Sequence, residues 1–202
     1  MRIVNPDVKR DLESRSPLKL ELGSGGEGRK GFYALDHLEL DGVDIVADLN
    51  KPLDLLPDES VDYIYSRHTL EHIHEFLPLM RELYRVTKKN GTIEIIVPHF
   101  SNVYGYSDPT HVRLFGLYSM YYFVSSENQP EKRKVPAFYT DIRFIIKSIK
   151  IEFYKLGTID MIFAPLFTKI VNRNLFMQDF YERRLSSFFH AWQIRFIMKA
   201  DK

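Results

Sequence analysis

The 202-residue sequence predicts an α/β fold built on a mainly parallel sheet, and three observations carry that prediction. Short apolar runs recur at 18–22, 31–36, 43–49, 61–66 and 92–97, and the first three lead into Gly23, Asp36 and Asp48. Between these runs lie loops or a helical pattern, the crossovers that parallel strands need. After residue 141, two alternating segments flank an apolar helix-like stretch, which adds an antiparallel C-terminal edge strand.

Taken in order, residues 1–17 read as a polar lead-in ending at Pro17. Strands follow at 18–22, 31–36 and 43–49, then a loop over 50–60 marked by Pro52 and Pro57. The near-continuous apolar run 61–66 suits a strand covered on both faces. Residues 68–89 carry Leu70, Ile73, Leu77, Met80, Leu83, Tyr84 and Val86 on one side, the spacing of an amphipathic helix. Asn90-Gly91 should stop that helix, and 92–97 forms the next strand before Pro98. Residues 99–122 are rich in turn formers, aromatics and histidine and read as a cap over the sheet. A polar loop over 127–136, a strand over 142–154, one amphipathic helix over 165–189 and a final strand over 193–199 complete the chain.

The length suits a single domain over 1–202, with a cofactor-binding core at 18–98, a substrate cap at 99–140 and C-terminal strands and helix at 141–202. A net charge of +1 gives no bulk attraction to nucleic acid. The absence of cysteine excludes disulfides and thiolate metal sites. The first 16 residues lack a signal-peptide core, and no uncharged apolar run reaches the length of a membrane span, so a cytoplasmic location is expected.

Gly23, Gly25 and Gly28 satisfy G-x-G-x-x-G, but the pattern alone is weak. The interval that follows is more informative. A dinucleotide site places its ribose-binding acid about 20 residues on, after a helix that holds the pyrophosphate. Here Asp36 follows Gly23 by only 13 positions, too few for that helix. This argues against a nicotinamide oxidoreductase and for a nucleoside ligand without phosphate, such as S-adenosylmethionine. Gly23 and Gly25 would let the backbone approach its methionine portion. Asp36 can accept both ribose hydroxyls, and Asp48 the adenine amino group, with Leu49 beside the ring.

These segments resemble the class I S-adenosylmethionine-dependent methyltransferases. The likeness rests on Leu20-Glu21-Leu22-Gly23-Ser24-Gly25, Ala34-Leu35-Asp36, Val46-Ala47-Asp48-Leu49-Asn50, the stretch from Tyr63 to Ile73, and Arg85 through Pro98. It implies a Rossmann-like methyltransferase fold with an aromatic-rich cap, and a cofactor site drawing on Glu21, Gly23, Ser24, Gly25, Asp36, Asp48, Leu49, Ser66, Arg67 and His68. Glu71 and His72 would support the active-site floor. Pro98-His99-Phe100-Ser101 and Ser107-Asp108-Pro109-Thr110-His111 are similar to pieces of small methyltransferases of surface-polysaccharide and glycan biosynthesis. That narrower likeness implies an oxygen acceptor on a sugar or glycan precursor.

A hydroxyl acceptor benefits from a general base. His99 or His111 is the candidate, with Asp108 orienting an imidazole or the acceptor. The run from His68 to His72 also reads H-x-x-E-H, the inverted zinc-protease signature, but it opens directly off a buried strand and lacks an obvious third ligand. No metal is assigned on this reading. A divalent ion on Asp108 and His111, or on Glu71 and His72, is a minor alternative, and a non-catalytic S-adenosylmethionine-binding scaffold is the main one. Aromatic and arginine residues alternate through 165–189, so that helix either covers the sheet or contacts a membrane surface or another protomer.

Overall fold

In chain order the computed structural model, which describes residues 1–155 and 157–202, contains β1 (Arg2–Ile3), α1 (Pro6–Ser14), β2 (Lys19–Leu22), β3 (Tyr33–Asp36), β4 (Ile45–Val46) and β5 (Val61–Arg67). These are followed by α2 (Phe76–Val86), β6 (Thr87–Pro98), β7 (Phe144–Phe153), α3 (Thr158–Val171), α4 (Leu175–Arg184) and β8 (Ala191–Ala200). The strands form one sheet in the order β1-β4-β3-β2-β5-β6-β8-β7. β4, β3, β2, β5 and β6 run parallel, and β8 pairs antiparallel with both β6 and β7. This is the expected Rossmann-like sheet with an antiparallel C-terminal edge.

Register places Leu20, Leu22, Ile64, Ile93, Ile95, Ile194 and Phe196 on one face, all fully buried. Val8 of α1, Leu79, Met80 and Leu83 of α2, Val171 of α3 and Tyr181 of α4 join the same core. The opposite face carries Glu21, Tyr63, Tyr65, Glu94, Arg195 and Glu152, a polar and aromatic ladder. There the Glu94 carboxylate accepts from Tyr63 and lies 3.2 Å from Arg195, which lies 3.2 Å from Glu152. Residues 61–66 are covered on both faces, but on this side the cover is the ladder, which Tyr63 and Tyr65 face.

Four expectations are corrected. The lead-in holds β1 and α1: Asn5 accepts the Asp7 amide at 2.9 Å as N-cap, Pro6 stands at the first helical position, and Arg15 closes the helix at φ +55°. The helix expected over 68–89 starts only at Phe76. His68 has φ +52°, Leu70–His72 is a single 3-10 turn, and Ile73 is extended. The chain leaves that helix at Val86, not at Asn90-Gly91, which instead lie inside β6 at an irregularity in its pairing with β5. The helix over 165–189 is two helices. Asn172 bridges to the Ile151 backbone in both directions at 2.7 Å, and Asn174 caps α4 by accepting the Met177 amide.

Between β6 and β7 the cap is built from 3-10 turns at Val103–Tyr106, Ser119–Phe123 and Ser126–Asn128. Its own small core comprises Leu117, Tyr118, Tyr121, Val124 and Val135. Among the described residues no helix is long and apolar enough to cross a membrane.

Candidate active site

The carboxyl ends of β2, β3 and β4 open onto a cleft of about 590 Å³ lined by Gly23, Gly25, Asp36, Asp48, Leu49 and His68. That volume and position match ligand sites of open α/β sheets. No helix joins β2 to β3; the connection is a loop from Gly23 to Phe32, as the short glycine-to-acid interval predicts.

The turn is fixed by its own backbone. Gly23 donates its amide to Leu35 O at 2.8 Å and has φ +67°, a region that disfavours a side chain. A Cβ on Gly23 would stand 2.2 Å from Thr69 Oγ1. The Thr69 hydroxyl in turn lies 3.0 Å from Leu22 O, so β2 and the turn after β5 lock together. Gly25 donates to Asp36 Oδ2 at 2.9 Å, and Leu38 donates to Asp36 Oδ1 at 3.1 Å. Asp48 Oδ1 accepts the Asn50 amide at 2.9 Å. The Asn50 backbone and side-chain bonds hold this carboxyl below its ordinary range.

The remaining predicted cofactor residues divide. Glu21 accepts the Arg29 amide, which fastens the glycine loop to β2. The hydroxyls of Ser24 and Ser66 are buried without a partner. Buried polar atoms normally find one, but neither serine is among the residues that line the cleft. Arg67 is exposed and lies over Trp192, on the ladder side of the sheet. His68 Nε2 lies 3.0 Å from Gln193 Oε1 on β8.

The acceptor-side candidates also separate. His99 does not line the cleft. Its buried ring pairs Nδ1 with Ser101 Oγ at 2.8 Å and Nε2 with Glu182 Oε1 at 3.1 Å, which ties the cap to α4. The expectation that His99 faces the transferred group is corrected by this position. His111 instead packs edge-on against His72, ring centroids 4.8 Å apart. Its Nε2 is 3.7 Å from Asp108 Oδ2 and 4.0 Å from Glu71 Oε1. Thr110 donates to Asp108 through both hydroxyl and amide, lowering its carboxyl below the usual range. Because 68–72 is not an α-helix, the two histidines of H-x-x-E-H do not act as a helical pair: His72 meets His111 instead.

Sequence reasoning missed Thr69 as a cleft-lining residue, although it falls within the stretch that carries the resemblance; His72, expected at the active-site floor, also lines the cleft. Gln193 and Trp192 at His68 had no signal at all, being more than a hundred residues away.

Residues 21–95 match a family model described as a methyltransferase domain. A search of curated protein sequences gives no significant match. Among solved structures, the MccD protein is 14% identical, with TM-score 0.53 over 99% of this chain and 100% of its own. YcgJ from Bacillus subtilis is 14% identical, with TM-score 0.50 over 98% of both chains. The [4+2]-cyclase SpnF is 12% identical, with TM-score 0.52 over 96% of this chain and 80% of its own. At these identities the likeness is one of fold, and the cyclase shows that this fold hosts other chemistry. The family match spans the glycine turn, Asp36, Asp48 and His68, and the cleft fits the cofactor through its positive-φ glycines and the two carboxylates at its strand ends. Over residues 21–95 the chain carries a methyltransferase domain, whose cofactor is S-adenosylmethionine.

Proposed function

We propose that this chain, as one cytoplasmic methyltransferase domain, methylates a hydroxyl oxygen of a sugar or glycan precursor. The observation that carries the oxygen acceptor is the pairing of His111 with Asp108 beside His72, which itself lines the cofactor cleft. An oxygen acceptor must lose its proton, and a basic pair next to the donor site serves that need. In this reading Asp36 holds the ribose, Asp48 and Leu49 the adenine, and Gly23 and Gly25 admit the methionine portion. Ser24, between the two glycines, offers its hydroxyl to the same ligand, Glu21 steadies the glycine loop, and His68 closes the wall.

When bound, S-adenosylmethionine supplies a sulfonium methyl group whose C–S bond breaks, its electron pair returning to sulfur, as the acceptor O–C bond forms. The His111–Asp108 pair takes the acceptor's proton. His99 is a positioning residue in this scheme, holding Ser101 and Glu182 so that the cap stays over the sheet. Alignment and exclusion of water supply the rest.

The exposed side of α3, with Ile162 at 70% and Phe163 at 61% exposure, is read as a contact for a membrane surface or a second protomer. Lys169 and Arg173 near its end would favour an anionic surface.

The test is calorimetric titration with S-adenosylhomocysteine, followed by an acceptor screen with labelled S-adenosylmethionine against sugar hydroxyls, thiols and amines. Label on a sugar hydroxyl supports the proposal. Label confined to thiols or amines overturns the acceptor assignment while leaving the donor site intact.

A further inference from the structure

We propose that Glu71, His72 and His111 form a binding site for one divalent first-row transition ion, of the kind for which zinc and cobalt are probes, in the wall of the cofactor cleft. One ligand atom from each residue lies within 4.8 Å of the other two. Three further observations, independent of that spacing, point to an ion.

The first is Glu71. It is 1% exposed, and neither carboxylate oxygen has a hydrogen-bond partner. The nearest cationic candidates are His68 Nδ1 at 3.5 Å and His111 Nε2 at 4.0 Å. A carboxylate this buried is ordinarily hydrogen-bonded, paired or bound to a metal.

The second is the tautomer of each imidazole. His111 Nδ1 lies 2.9 Å from Gly105 O, a carbonyl that only accepts, so Nδ1 carries the proton and Nε2 presents a lone pair. The Thr110 hydroxyl donates to Asp108 Oδ1 at 2.6 Å, so at 2.8 Å from His72 Nδ1 it accepts. His72 Nε2 is therefore also free to ligate. An imidazole that donates through one nitrogen to a carbonyl or hydroxyl, leaving the other bare, is the usual outer-shell arrangement of a metal-bound histidine.

The third is the donor set. Two imidazoles and one carboxylate suit a transition ion better than magnesium or calcium, which prefer oxygen ligands. Three protein ligands leave a position for substrate, and His72 lines the cleft, which places that position at the ligand's edge. Bonds of about 2.1 Å require the three atoms to draw together by about 1 Å, which side-chain rotation of the half-buried histidines supplies.

The use of such an ion rests on the proposed oxygen acceptor. A coordinated hydroxyl is more acidic than a free one. With His111 Nε2 engaged as ligand, its proton passes to the Asp108 carboxylate, 3.7 Å from that nitrogen. The O–H bond breaks as the O–C bond forms, and the ion keeps its oxidation state.

The experiment titrates chelator-treated full-length protein with Co²⁺ by visible absorption, then displaces it with Zn²⁺. One equivalent should bind. Affinity should fall at least about 100-fold in His72→Ala and His111→Ala, and about 10-fold in Thr110→Val, which removes only an outer partner. His190→Ala, away from the site, serves as control and should change nothing. Binding below one equivalent, binding unaffected by both histidine changes, or binding lost with His190 overturns the site. S-adenosylhomocysteine binding is measured on the same samples. Far-ultraviolet circular dichroism shows each variant folded, and failure of S-adenosylhomocysteine binding in the wild type would strike the donor assignment while the Co²⁺ result still decides the ion.

Discussion

Asp36 Oδ2 accepts the Gly25 amide at 2.9 Å, so the carboxylate proposed for the ribose also shapes the glycine turn. Its second oxygen takes the Leu38 amide, and an ionised carboxylate keeps further lone pairs for two ribose hydroxyls. Asp36→Asn should therefore weaken S-adenosylhomocysteine by loosening the turn as well as by losing the ligand contact. A charge-assisted bond is worth about 2 kcal/mol, or about 30-fold in affinity. Calorimetry showing less than a threefold change would remove Asp36 from the cofactor site.

Gly23 and Gly25 both sit at positive φ but differ in surroundings. A Cβ at Gly25 meets nothing within 4 Å, whereas one at Gly23 runs into the Thr69 side chain. Gly25→Ala should cost the left-handed strain alone, about 1–2 kcal/mol. Gly23→Ala should cost more and displace Thr69 from Leu22 O. Urea unfolding of the two variants gives the order, and equal losses would contradict it.

Arg85 braces the loop before β5. It donates to Leu56 O at 2.9 Å and Leu53 O at 3.1 Å and pairs with Glu82 and Asp58 at 2.8 and 2.7 Å. The Glu82 carboxyl is lowered chiefly by this arginine. Arg85→Met keeps the stem but strips the Leu56 carbonyl of its partner and leaves the half-buried Glu82 carboxylate with only the Leu53 amide, a loss of about 2 kcal/mol. A chemical denaturation midpoint unchanged from the wild type would mean that solvent replaces the brace.

Four phenols, Tyr33, Tyr63, Tyr118 and Tyr181, are raised from the ordinary 10.0 to about 12, in each case mainly by burial. Asp11, Glu94 and Asp179 add to the effect at the first three. The unfolded chain then releases these protons near pH 10 while the folded one holds them. Stability is complete below about pH 10 and falls as pH rises towards about 12. Ultraviolet titration should show a late group of phenols that shifts to the ordinary value in denaturant. A single titration near pH 10 in the folded protein would contradict their burial.

The parallel sheet and the donor end of the site were legible because local patterning carries them. Each apolar run is short, and Gly23, Asp36 and Asp48 close consecutive ones within 26 positions. The helix breaks were less legible. Asn172 looks like an ordinary polar position until the Ile151 backbone arrives to be bridged, and Asn174 until it caps α4 at the Met177 amide. Asn90-Gly91 gives the same signal at a helix end as in an irregular strand, and only the register with β5 distinguishes them. The acceptor side depended on tertiary contact. His99 and His111 are equivalent as letters, but one ring is enclosed by Ser101 and Glu182 while the other meets His72.

The place of β8 has a consequence for how the molecule is made. It lies between β6 and β7, and among the described residues β7 pairs with no other strand. On the ribosome, β7 therefore waits unpaired until residues 191–200 have been synthesised, while β2 through β6 can already close the donor side. The same late segment brings Gln193 to His68. During synthesis the nascent chain can thus hold a formed glycine turn before its His68 wall is braced, and a pause before residue 191 would leave an apolar strand open to chaperones or to a neighbouring chain.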